Sequence, residues 1–515
     1  MGNLWRKPAW IAVGIAAALV ASCTGTRTGG PGAASIVDVV EHQSSELFPV
    51  PMERYRALEA QRPIGVFDSG IGGLTVLEEI ATIDRFDNRT HAPGADGRPD
   101  FEDESFVYLG DQANMPYGNY PSENRVDFLK ELILKDVVFL LGDRYWPSRS
   151  AAAPRRDKPP VKAIVIACNT ATAYGLEDVH AALERWRIPI FTVGVVAAGA
   201  DGAVESLRDT KTSGAVAVMA TIGTCRSEGY VREIRRSSEA ARIEAPQVIQ
   251  QGSLGLAGAI EGSPEFIAPP DAADSTAYRG PAVGNPEAPI EPSLAAEYAF
   301  DPQGLLGDRD DPATWRLNSV GNYISYDTTS LVESHRRSGS TEPIRTVILG
   351  CTHFPFYQDE IEASFERLRE LRTAEGEAPY RDLIADEIVF IDPAELTAVQ
   401  LYEALSERGL LGTGLGAAGV ADEFYISVPN PTCPEVELRP DGLGFTYEFK
   451  YGRVPGQLDR EYVRRVPMSR DSLDEGVLES IRTSMPAVWE RLTRFSSHSP
   501  RCADLPDQAR IGAAE

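Results

Sequence analysis

Two cysteines of this 515-residue chain stand in near-identical settings, in "KAIVIACNTATA", which ends at Ala173, and "RTVILGCTHFPF", which ends at Phe356. In each, a basic residue (Lys162 or Arg345) precedes the cysteine by six positions, small or apolar residues fill the gap, and a threonine-bearing turn follows. A short apolar run ending in such a turn reads as a buried parallel strand that delivers its last residue to the carboxyl edge of a sheet, where α/β folds bind ligands. A helix starting just beyond would lower a thiol's pKa and offer N–H groups to a carboxylate. Taken singly, Cys168 or Cys351 reads as a small buried core residue. The repetition changes that balance, because two related halves facing each other would set two thiols across one cleft.

The elements that must position them follow the same logic. "PIGVFDSGIGGLTVLEEI" reads strand, glycine turn, helix, and "FVYLGD" is the next strand. Helical spacing marks "RVDFLKELILKDVVFLL" and "GLEDVHAALERW", the latter between the strands "KAIVIAC" and "IPIFTVGV". "GAVAVMAT", "RTVILGC" and "EIVFID" continue the series, with helical "SEGYVREIRRSSEAA" and "PAELTAVQLYEALSERG" after the first and last. Alternation of this kind predicts two pseudo-symmetric parallel-sheet α/β domains with the site between them. The expected bounds are 63–190 for the first, with a returning segment 388–428, and 191–387 for the second. Polar Pro/Gly-rich loops interrupt the first half, and a segment over about 263–319, rich in proline (Pro269, Pro270, Pro281, Pro286, Pro289 and Pro292 among them), is expected as loop or lid. From 429 to 515 an extension follows, read as a β-hairpin turning at Asp441-Gly442 and a helix over "GVLESIRTSMPAVWERL".

Composition excludes several classes. Apolar content of 43% with 24% charged residues describes a globular chain, and a formal charge of −26 argues against nucleic acid, which needs a positive surface. The six cysteines include no C-x-x-C pair and the six histidines are scattered, so no metal site is predicted. At the N-terminus, Arg6 and Lys7 precede an apolar run from Ile11 to Ala21, short for a membrane span and suited to a signal-peptide core. Val20, Ala21 and Ser22 before Cys23 resemble a bacterial lipobox, which would make Cys23 the lipidated end of an exported protein and residues 24–62 a tether and N-terminal segment. The alternative is a cytoplasmic protein translated from Met52. Export would allow a disulfide between Cys433 and Cys502, and two unpaired thiols remain an equal option.

Together "GVFDSGIGGLTV", the "GDxxxxPYG" run from Gly110 to Gly118, "ACNTATA", "TIGTCRSEGY" and "GCTHFP" resemble glutamate racemase and the wider aspartate/glutamate racemase group, over about Pro63 to Val428. The resemblance implies cofactor-independent racemisation of an acidic amino acid by two opposed thiols, one abstracting the α-proton while the other donates to the opposite face. It implies that Asp68 assists Cys168, that His353 assists Cys351, and that Glu261 assists His353. It further implies that Ser69, Pro116, Tyr117 and Gly118 meet the substrate's distal group, and that Asn169, Thr170, Thr224 and Thr352 hold its α-carboxylate and amine. On residue type alone, Asp68 also reads as a helix cap, His353 as a core histidine and Tyr117 as a packed loop aromatic.

Two departures concern the side-chain pocket. Asn114 stands where the group commonly has arginine, and Ala197-Ala198-Gly199 where it commonly has Glu-Pro-Gly. The resemblance makes glutamate the first substrate and aspartate the second, while Asn114 and Ala197 favour the reading from another class, an envelope lipoprotein that binds an acidic amino acid without turning it over. D-glutamate for peptidoglycan is needed in the cytoplasm, so an envelope enzyme would make or scavenge D-amino acids outside. Whether the chain pairs into a homodimer is left open by the sequence.

Overall fold

The computed structural model describes residues 35–210, 213–268, 278–373, 375–412, 421–440 and 442–512. The expected signal segment with Cys23, and the tether as far as residue 34, lie outside the described residues. Among the described residues no helix is long and apolar enough to cross a membrane.

Short apolar runs form strands in chain order: β1 (Ile64–Asp68), β2 (Phe106–Gly110), β3 (Ala163–Ile166), β4 (Phe191–Gly194), β5 (Ala215–Thr221) and β6 (Val248–Ser253). A two-residue ribbon, β7 (Leu305–Leu306) and β8 (Arg316–Leu317), is followed by β9 (Ile344–Gly350), β10 (Ile384–Ile391), β11 (Glu423–Pro429) and β12 (Val463–Pro467). The first sheet has the order β12-β11-β2-β1-β3-β4 and the second β10-β9-β5-β6. All neighbours in both are parallel except β11 and β12. Every residue of β1, β2 and β3 is buried, as expected where helices cover both faces of a parallel sheet.

Register decides what reaches the sheet edge. Phe67 pairs with Ile166 and Asp68 with Gly110, so Asp68, Asp111 and Cys168 leave three adjacent strands at one edge. In the second sheet Ala220 pairs with Gly350 and Thr221 with Ser253, which brings Thr221 and Cys351 to the equivalent edge.

Three boundaries differ from those expected. β4 pairs with β3 and belongs to the first sheet, so the second domain starts after Gly194. The "EIVFID" strand pairs with β9 at the edge of the second sheet, so the return to the first domain begins with the helix Pro393–Glu407. Its N-cap Asp392 and N1 Pro393 stop the strand and start the helix there. The extension is no appendage: β12 adds the edge strand of the first sheet, and the helices Glu475–Ser484 and Pro486–His498 pack Leu478, Ile481, Val488, Leu492 and Phe495 into the cluster of Ile64, Phe106 and Phe424. The helix expected over that stretch breaks at Pro486, which cannot donate to the preceding turn.

Of the expected hairpin, one antiparallel bridge, Leu438 to Phe445, is present, Asp441 lies outside the described residues, and residues Tyr447–Gly452 are helical. Cys433 and Cys502 are free thiols in different clusters, Cys502 deep in the first-sheet core and Cys433 half-buried beside Phe445 and Tyr462. The 263–319 segment, whose residues 269–277 lie outside the described set, is a packed layer: Phe266, Ile290, Leu294, Tyr298 and Leu317 are buried against Tyr323 and Ile324 of the helix Val320–Arg337. Its apolar residues explain why it folds where its prolines predicted loop. Upstream of Met52, the helix Ile36–Glu41, capped by Ser35, buries Ile36, Val39 and Val40 in the cluster of Leu132, Val179 and Trp186.

Candidate active site

Cys168 is the N-cap of the 18-residue helix Asn169–Trp186, and the Ala171 amide donates to its Sγ at 3.5 Å. Burial pushes the Cys168 thiol well up, the Asp68 charge adds to this, and the Ala171 amide and Ser69 side chain pull the other way. Asp68 itself is wholly buried. Its Oδ2 accepts from the Gly70 amide at 3.0 Å, while Oδ1 is buried with no hydrogen-bond partner among the described residues. Burial raises the Asp68 pKa, and the nearby His353 opposes that rise.

Cys351 has a different neighbourhood. A turn and the 3₁₀ segment Phe354–Tyr357 separate it from the helix Gln358–Glu370, so it does not cap that helix as the sequence suggested. Its partner is His353, whose Nδ1 lies 3.6 Å from Sγ, while Nε2 sits 2.6 Å from Glu261 Oε1. Burial works against a charged ring here, yet the hydrogen bonds to Cys351 and Glu261 and the charge of Glu261 hold the His353 pKa well above the usual imidazole value.

Both cysteines line one cavity, with Ser69, Pro116, Tyr117, Gly118, Asn169, Thr170, Thr352 and His353 among its walls. Its volume is about 20 Å³, room for about one water, so an amino acid enters only if the walls part. The approach of the two domains is close enough to require glycine. A Cβ on Gly72 would lie 2.5 Å from Thr352 Oγ1, and one on Gly223 would lie 2.6 Å from the Gly118 carbonyl oxygen.

The remaining expected residues stand just behind this wall or turn from it. Thr224 is buried behind Thr170, their hydroxyls 2.9 Å apart, and Thr221 completes the cluster at 3.0 Å from each. The Tyr117 ring lines the cavity, but its hydroxyl lies 2.6 Å from both Asp111 Oδ2 and Asp136 Oδ2. Burial and the adjacent Asp111 charge raise the Asp136 pKa, against the pull of Arg465, whose Nη2 donates to Asp136 Oδ1 at 2.9 Å. Asn114 likewise points away, donating to Asp111 and accepting from Arg453 Nη2 at 2.6 Å.

Several residues of the site carried no recognised signal. Tyr230 donates to Asn169 Oδ1 at 2.5 Å and fixes that amide; it closes the "TIGTCRSEGY" motif, and its place there was the available hint. Gln112, inside the variable part of "GDxxxxPYG", donates to Glu261 Oε2 at 2.7 Å across the domains. The extension grips the same loop: Lys450 donates to the Met115 carbonyl at 2.6 Å and Tyr451 to that of Pro116 at 3.3 Å. Nothing in the sequence pairs residues some 335 positions apart. Among the described residues no group of three or more His, Cys, Asp or Glu side chains could hold a metal ion.

No family model matches the chain. It is 26% identical over 351 residues to a glutamate racemase of Levilactobacillus brevis, covering 68% of this chain and 81% of that protein. It is 37% identical over 184 residues to a glutamate racemase of Enterococcus faecalis, covering 36% of this chain and 50% of that one. Among solved structures, glutamate racemase isoform RacE1 from Bacillus anthracis aligns with a TM-score of 0.41 at 22% identity, covering 71% of this chain and 88% of that one.

Proposed function

We propose that this chain, an amino-acid racemase of the glutamate racemase family, interconverts L- and D-glutamate, one of Cys168 and Cys351 taking the α-proton while the other delivers its own proton to the opposite face of Cα. The observation that carries this reading is that both thiols line one cavity, each beside its own proton-handling group.

In one direction the thiolate of one cysteine takes the Cα proton and becomes a thiol, leaving a carbanion-like centre. The thiol opposite gives its proton to the other face and becomes the thiolate, so no atom is gained or lost overall. Asp68, buried and raised in pKa, serves the Cys168 side; the imidazolium of His353, held by Glu261, stabilises negative charge on Cys351. Asn169, Thr170 and Thr352 offer donors to the α-carboxylate, where negative charge builds in the transition state. Ser69, Pro116, Tyr117 and Gly118 shape the end that takes the side chain. A cavity this small excludes bulk water, which strengthens each of these interactions. The test is chiral chromatography after incubating reduced protein with a panel of L-amino acids. D-glutamate should form fastest; a different preferred substrate would move the assignment, and no turnover of any would end it.

The location proposed is the cell envelope, through lipidation at Cys23. Support for a start upstream of Met52 comes from Ile36, Val39, Val40, Phe48 and Val50, which are buried and would be lost. Fractionation of cells tests it: wild type should partition with membranes and Cys23→Ser should not. Wild-type protein found wholly in the cytosol would overturn it.

A further inference from the structure

Beside the thiol cavity lies a second, larger one of about 740 Å³, walled on one side by Gln112 and Glu261 and on the other by Arg439, Arg470 and Ser472 of the extension. The wall between the two cavities is thin. Gln112 Nε2 reaches Met115 Sδ at 3.6 Å and Glu261 Oε1 reaches His353, and Met115 and His353 line the thiol cavity. The Gln112–Glu261 hydrogen bond thus joins the segment after β2 of the first domain to the C-cap of the short helix Leu256–Ile260 that follows β6 in the second.

We propose that Gln112 is a positioning residue of the racemase, holding Glu261 in the place from which it orients and charges His353. This rests on the functional reading above. Glu261 has two oxygens with separate duties: Oε1 meets His353 at 2.6 Å and Oε2 accepts from Gln112 at 2.7 Å. A carboxylate tied at one oxygen only can swing; one tied at both, from opposite domains, presents Oε1 to the imidazole in a single geometry. A donated hydrogen bond also favours the anionic carboxylate, and an anion at Nε2 favours the imidazolium. The other charged groups nearby are Asp68, Lys450 and Glu265 and, lining the larger cavity, Arg439, Arg470, Asp471, Asp474 and Glu475. None of them is altered by a change at Gln112.

The test is a double-mutant cycle on the full chain with Gln112→Met, which keeps size and removes the donor, Glu261→Gln, and both together. Histidine labelled at Cε1 is titrated by NMR, with His353→Gln to assign the signal, and racemisation is measured on the same samples. Gln112→Met should lower the His353 pKa by about one unit and racemisation about tenfold, with no further loss when Glu261→Gln is already present. An unchanged His353 titration in Gln112→Met, or a loss that simply adds to that of Glu261→Gln, would overturn the proposal. If the titration shifts as stated while wild type racemises nothing, the positioning role stands and the functional reading fails.

Discussion

Cys168 and Cys351 end equivalent parallel strands in two domains, yet their surroundings have diverged. Cys168 caps a long helix and sits by a buried carboxyl with one unmatched oxygen. Cys351 caps nothing and faces a three-residue line of His353, Glu261 and Gln112. One thiol lies beside a helix terminus and a buried carboxyl, the other beside an imidazole whose pKa is raised by its partners. A racemase must take a proton from one face of Cα and give one to the other, but a protein built from L-residues need not be symmetric. Repetition of the strand-to-cysteine turn places the thiols, and on the proposed mechanism different local chemistry makes each a working acid and base.

The largest effect should come from removing either thiol. Cys168→Ala and Cys351→Ala should each lower racemisation at least about a thousandfold by chiral chromatography, since the path needs both in either direction. One variant with near-normal rates would reduce the comparison to a single base.

Exchanging the helper groups separates the halves. Asp68→Asn and His353→Gln should each cost about a hundredfold, but their pH profiles should differ. His353 keeps its proton above the usual imidazole range, so in wild type the alkaline fall of kcat/KM should include its deprotonation. That limb should flatten in His353→Gln and persist in Asp68→Asn. The same shift predicts a stability slope. Folded-state pKa exceeds the unfolded value, so its contribution is full below about 6.5 and is lost as pH rises through the folded value. Urea midpoints of wild type should therefore fall over that range more than those of His353→Gln.

Smaller effects probe what holds the walls. Lys450, its pKa depressed to about 8 by burial, pins the loop that carries Met115 and Pro116. Lys450→Met should raise KM about fivefold with kcat little changed, as expected when substrate-positioning contacts loosen. Ser69→Ala, which removes one weak support of Cys168, should cost only a few-fold in kcat.

How much of this was legible follows from range. The strands, the two turns and Asp68, Cys168, Cys351 and His353 announce themselves because each lies within a local motif, and parallel register carries them to the same edge. The meeting of Glu261 with His353 was readable only through resemblance, and that of Gln112 with Glu261 not at all, because a contact across 149 residues leaves no periodicity. The 263–319 segment misled for a local reason: proline density signals irregular backbone and says nothing about whether Phe266 or Leu317 finds a core. Asn114, read as a change in the substrate pocket, instead faces Arg453 of the extension, a partner that only the folded chain supplies.

The central claim is that each thiol handles one face of Cα, and hydrogen exchange tests it most directly. Enantiomers have equal energies, so kcat/KM for the two directions must stay equal in every variant and cannot reveal the asymmetry. Partial exchange can. In deuterium oxide, wild type acting on pure L-glutamate should put solvent deuterium at Cα of the D-product, with little in L-substrate recovered early. Cys168→Ala and Cys351→Ala should each still exchange the α-proton of one enantiomer, and the two variants should favour opposite enantiomers. If both variants favoured the same enantiomer, or if wild-type product retained the substrate's own proton, the two-thiol account would be contradicted.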